Sequence, residues 1–140
     1  MKQIFFSLLL LAFAGSLSAQ QRVSEEIRQQ AQTATDALVD AYALDAKQTS
    51  QMYRIQERKL RNTAEIEAKH SGDRDLYVRK MQALETGTNG SIQLILNKDQ
   101  ITLHRKAMTE RRERRAVRTK ELTEQGMSRE DIELELLKVE

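Results

Sequence analysis

His70 and His104 are the only imidazoles in a chain that has no cysteine, proline or tryptophan. Neither sits in a Gly-rich turn, an HExxH helix or an i, i+4 ligand pair, the settings in which histidine serves a metal or a nucleophile. His104 lies four residues before Met108, so both can project from one helix face; a soft-metal site there needs further ligands from a second subunit. Without cysteine there is no thiolate nucleophile, no Cys-ligated metal and no disulfide brace. Carboxylates are plentiful, but none is spaced to couple a nucleophile to a base. These residues speak against an enzyme and call for no cofactor and no metal. The chemistry left is that of charge and adaptable surface.

That charge is segregated. From Arg105 to Lys120 eight basic residues face only Glu110 and Glu113, a net of +6, and residues 121–140 carry a net of −5. A helix so charged repels itself unless something acidic lies nearby. The acidic neighbour is either within the protein, in the tail helix or a partner subunit, or it is a bound client; both hold if the tail covers the basic face and is displaced. Arg105, Arg111, Arg112, Arg114 and Arg115 are therefore candidate client-binding residues. Met52 and Met108 are candidate apolar contacts, because methionine adapts to irregular partners. Nucleic acid is not expected, since no aromatic residues interleave with the basic run as stacking platforms. Nor is a membrane surface, since that helix has no broad apolar face.

The elements that must carry these groups are helical. The chain has 140 residues, 39% hydrophobic and 31% charged. All three Phe fall before residue 19, leaving Tyr42, Tyr53 and Tyr77 as the later aromatics. So thin an apolar complement suits an open helical assembly better than a globule with a deep pocket. Lys2, the apolar run Ile4 to Ala14 interrupted only by Ser7, and the small residues through Ala19 have the layout of a secretory signal peptide. The run is about 11 residues, too short to span a bilayer, and no cysteine follows it to carry a lipid. The expected division is a signal peptide at 1–19 and one all-helical domain at 20–140, exported and free of any anchor after cleavage.

Within that domain the first helix is predicted from Ser24 to Ala43, with Val23, Ile27, Ala31, Ala34, Leu38 and Tyr42 as its stripe. A second runs from Ala46 to about His70, with Met52, Ile55 and Ile66 inward. A third, with Tyr77, Met81 and Leu84 inward, ends near Thr86–Gly90, and Ile92 to Leu96 adds a helical turn. The fourth spans Lys98 to about Gln125, where Gly126 provides a left-handed cap. A last helix from Arg129 presents Ile132, Leu136 and Val139.

One local pattern recurs. Leu44-Asp45-Ala46-Lys47-Gln48 and Leu96-Asn97-Lys98-Asp99-Gln100 share a leucine, a short polar cap and a glutamine three residues on. The Asp or Asn can accept from an orphan backbone N–H while the Gln reaches back to the cap's own N–H. The leucine stands where a hydrophobic staple begins, which Ile101 completes well and Thr49 poorly. Met127-Ser128-Arg129-Glu130-Asp131-Ile132 repeats the layout, with Asp131 in place of Gln.

The paired Leu-x-x-x-Gln copies, each opening a long charged helix, resemble the Leu-Thr-x-x-Gln repeats of the periplasmic Spy/CpxP family. Asp45 and Asn97 stand where that family usually has Thr; all three residue types can cap. The resemblance implies four long helices in a bent antiparallel hairpin-like cradle, here with a short C-terminal helix, forming a homodimer. It implies an ATP-independent periplasmic chaperone or envelope-stress binding protein that holds unfolded or misfolded envelope proteins. The alternative it carries is a regulator that binds a sensor-kinase domain, or responds to a metal, without chaperone activity. A structural envelope component is a third reading.

Overall fold

The computed structural model describes residues 3–139, with side chains from Val23 onward. The expected signal segment, 1–19, has its side chains outside the described residues. Five helices follow one another: α1 (Gln3–Tyr42), α2 (Ala46–His70), α3 (Arg74–Ile95), α4 (Lys98–Glu124) and α5 (Arg129–Leu136). The architecture is all-α, four long helices and one short one. Among the described residues no helix is long and apolar enough to cross a membrane.

Short connections return the chain on itself, so α2 packs closely against both α1 and α3, and α5 packs on α4 and α3. Contact between α1 and α4 is slight. The core is small and lies at the end of the assembly where both capped helix starts meet: Tyr42, Leu44, Met52, Ile55, Ile92 and Leu96, with Leu38, Val39, Ile95 and Ile101 packed against them. Its residues come from the last turn of one helix and the first turns of the next, in both repeats. Away from this end α1 covers less than its sequence stripe promised. Ala31 and Thr35 are fully buried, but Ala34 is only half-buried and Val23 is 52% exposed. Thr35 replaces Ala34 on the packed face because its hydroxyl donates to the Ala31 carbonyl at 2.7 Å and needs no outside partner.

The chain punctuation is varied. α1 ends with Ala43 in the left-handed region (φ 50°), and Leu44 N–H donates to the Val39 carbonyl at 3.2 Å, the six-residue closure of a Schellman cap. α4 ends the same way: Gly126 has φ 76° and Met127 N–H reaches the Leu122 carbonyl at 3.1 Å. Between α2 and α3, Asp73 caps the new helix by accepting from Leu76 N–H at 3.0 Å.

One expectation is corrected. The third helix does not stop at Thr86–Gly90 but runs on to Ile95. Thr88 and Ile92, four residues apart, are both buried, and with Val78 they form the buried line of α3, where Tyr77, Met81 and Leu84 are half-buried. Packing against α2 outweighs the roughly 1 kcal/mol that each helical glycine costs.

Candidate functional site

The two capped starts are built as their sequences suggest, and they are also bonded to each other. At α2, Gln48 N–H donates to Asp45 Oδ1 at 2.8 Å and Asp45 N–H donates to Gln48 Oε1 at 3.1 Å. At α4, Asn97 Oδ1 accepts from Asp99 and Gln100 N–H at 3.0 Å each, and Asn97 N–H donates to Gln100 Oε1 at 2.9 Å. The two glutamine amides, 52 residues apart, then form a closed pair. Gln48 Nε2 donates to Gln100 Oε1 at 2.7 Å, and Gln100 Nε2 donates to Gln48 Oε1 at 3.0 Å.

Each amide has one more task. Gln48 Nε2 donates to the Ile95 carbonyl at 2.8 Å, at the end of α3. Gln100 Nε2 donates to the Tyr42 and Ala43 carbonyls at 3.1 and 3.3 Å, at the end of α1. Those are the orphan carbonyls that a helix terminus leaves without partners. Each glutamine therefore closes the start of its own helix and the end of the helix preceding the other. Ala43 and Ile95 are themselves related by the same 52-residue offset, so the junction has a local two-fold character. Each side-chain oxygen accepts twice, and each NH2 group donates both hydrogens, which exhausts the amides' capacity. Such a fully satisfied network, Gln100 being only 6% exposed, is rigid and specific. Leu44 and Leu96 are buried beneath it, and Ile101 packs on the same cluster.

The basic helix is divided by its neighbours. Arg111 and Arg115 face inward and share Glu85 of α3, with N–O distances of 2.6 and 3.3 Å. Their remaining donors go to the end of α5: Arg111 Nε to the Val139 carbonyl at 3.0 Å, and Arg115 Nε and an Nη to the Leu136 carbonyl at 3.1 and 2.9 Å. The acidic neighbour of Arg111 and Arg115 is thus Glu85, and the tail offers these two arginines backbone carbonyls. Arg74 of the body also pairs with Asp131 of the tail at 2.5 Å. The Ser128 hydroxyl, and next Arg74, hold the Asp131 carboxyl below the usual carboxylate range.

Arg105, Arg112 and Arg114 are exposed, and Met108 is half-buried. Arg105 has no ion pair among the described residues, and Arg112 donates to the Thr109 hydroxyl at 3.2 Å. Arg105, Met108 and Arg112, spaced three and four apart, line one side of α4. Met52, expected as a client contact, is corrected: it is fully buried in the core, accepts from Gln56 Nε2 at Sδ, and offers no surface. Arg111 and Arg115, as described, are engaged within the chain.

His104 is 1% exposed. Its Nδ1 lies 3.2 Å from the Tyr42 hydroxyl, the rings meeting edge to face, and Nε2 has no partner among the described residues. Burial pushes the imidazole pKa below its ordinary value and the Tyr42 phenol above its own, so the pair is neutral. Among the described residues, no group of three His, Asp or Glu converges as a metal site. Sequence reasoning missed Glu85, the Tyr42–His104 contact and the buried Gln56; Tyr42 alone had a signal, as the last member of the α1 stripe.

No family model matches the chain, and no curated protein or solved structure matches it.

Proposed function

We propose that this chain is an exported, ATP-independent binding protein of the Spy/CpxP type, working by capture rather than catalysis. Its surface for unfolded envelope proteins is the exposed side of α4 bearing Arg105, Met108 and Arg112, with Arg114 nearby. The observation that supports it is the division of labour along α4. The inward arginines are neutralised by Glu85, while Arg105 and Arg112 are exposed beside a flexible apolar side chain. A positive side of this kind attracts unfolded acidic segments at long range, and Met108 then tolerates varied shapes. The rigid glutamine junction serves to fix the start of α4 against the ends of α1 and α3. In this reading residues 1–19 are removed on export and two copies pair into the working unit. Salt should weaken capture, because the screening length is about 8 Å at physiological ionic strength.

The test is light scattering from a chemically denatured client diluted with and without the folded protein, in the absence of nucleotide. The expected result is suppression at near-stoichiometric ratio, weakened by salt and by Arg105→Glu with Arg112→Glu. Absence of suppression by protein verified as helical removes the chaperone reading and leaves the regulatory one, in which a sensor-kinase domain is the partner.

A further inference from the structure

The tail helix α5 is held in an unusual way. At eight residues it is too short to be stable alone, so docking must order it. One buried side chain, Ile132, anchors it to the body, assisted by the exposed Arg74–Asp131 pair. Its far end is gripped by Arg111 and Arg115, whose guanidiniums bond the carbonyls of Leu136 and Val139 and are held in place by Glu85. Backbone carbonyls carry no sequence information, and a helix C-terminus presents them with the negative end of its dipole. Beside Val139 an open concavity of about 550 Å³ continues along α4, lined by Glu110, Glu113 and Glu121 together with Arg114, Arg118 and Val117, the last 60% exposed. The tail therefore occupies only part of the surface available.

We propose that the surface of α3 and α4 covered by α5 is a receptor for a short amphipathic helix of a partner protein, and that α5 is its removable occupant in cis. The chemistry of the partner is read from α5 itself: a carboxylate in the first turn to meet Arg74, an apolar residue next to it in the Ile132 position, and free carbonyls at the helix end for Arg111 and Arg115. Displacing the tail would also bring Arg111 and Arg115 into contact with a client. That consequence rests on the function proposed above, whereas the docking itself does not.

The experiment uses the full chain and a fluorescein-labelled peptide of residues 127–139, followed by anisotropy. A spin label at Lys138→Cys, the chain's sole thiol, reports whether the tail is seated. Two variants loosen it, Ile132→Asp and Asp131→Arg. Expected are a mobile label in both variants and peptide binding at least tenfold tighter than to the unaltered chain. Arg111→Ser with Arg115→Ser in the same background should lose that gain, and a scrambled peptide should not bind. A label that stays immobile in both variants overturns the removable tail. A mobile label with no gain in peptide binding, in protein of unchanged helicity, overturns the receptor. Neither result touches the light-scattering assay, so the two readings fail separately.

Discussion

Replacing Gln100 by methionine keeps the side-chain length and deletes four hydrogen bonds at one point: two accepted, from Asn97 N–H and Gln48 Nε2, and two donated, one to Gln48 Oε1 and one shared by the Tyr42 and Ala43 carbonyls. A typical intramolecular hydrogen bond is worth about 1 kcal/mol net, and a buried group left unpaired costs about 1–3 kcal/mol. The site is 6% exposed, so water cannot easily take over. Part of the loss is offset by the apolar methionine, and about 3 kcal/mol of destabilisation is expected. Gln48→Met deletes four bonds in a half-buried position and should cost about 2 kcal/mol. The two amide-to-amide bonds belong to both residues and can be lost only once. The double variant should therefore fall about 1–2 kcal/mol short of the sum, a coupling within the usual range for contacting residues. Urea unfolding followed by circular dichroism reads this directly. With a slope of about 1.5–2 kcal/mol per molar, the Gln100 variant's midpoint should drop by about 1.5–2 M. Additivity within about 0.4 kcal/mol would refute the cross-bonded junction and leave two independent caps.

Other perturbations probe single points. His104 has a folded pKa below its ordinary 6.5, so the native state binds fewer protons than the unfolded chain; stability is complete above about 6.5 and declines as pH falls toward the folded value. Urea midpoints should fall between pH 7.5 and 5, less steeply in His104→Gln, and parallel profiles would contradict the buried neutral imidazole. Gly90→Ala in α3 adds a methyl group that meets nothing within 4 Å and should raise stability by about 0.5–1 kcal/mol, read as a higher melting temperature. A fall would mean that α3 is broken there after all. Ala43→Gly relieves a left-handed residue with an exposed side chain and should also stabilise, by about 0.5–1 kcal/mol in urea unfolding. An unchanged or lower midpoint would argue against the Schellman geometry at the end of α1.

What the sequence determined by itself was everything settled within one or two turns of helix. Asp45 with Gln48, Asn97 with Gln100 and Gly126 each act on backbone groups no more than five residues away, so their types and spacing suffice to place the starts of α2 and α4 and the end of α4. Gly87 and Gly90 misled because local propensity favours a break there, whereas Thr88 and Ile92 are held by packing against α2. Only the tertiary structure could join Gln48 to Gln100 across 52 residues, or give Arg111 and Arg115 to Glu85. Every arginine of the basic run reads alike in sequence. Helix periodicity groups them by face, but which face turns toward a carboxylate on another helix depends on how α3, α4 and α5 pack. That packing rests on contacts distant in the chain, and it separates the arginines engaged with Glu85 and the tail from those exposed on the surface.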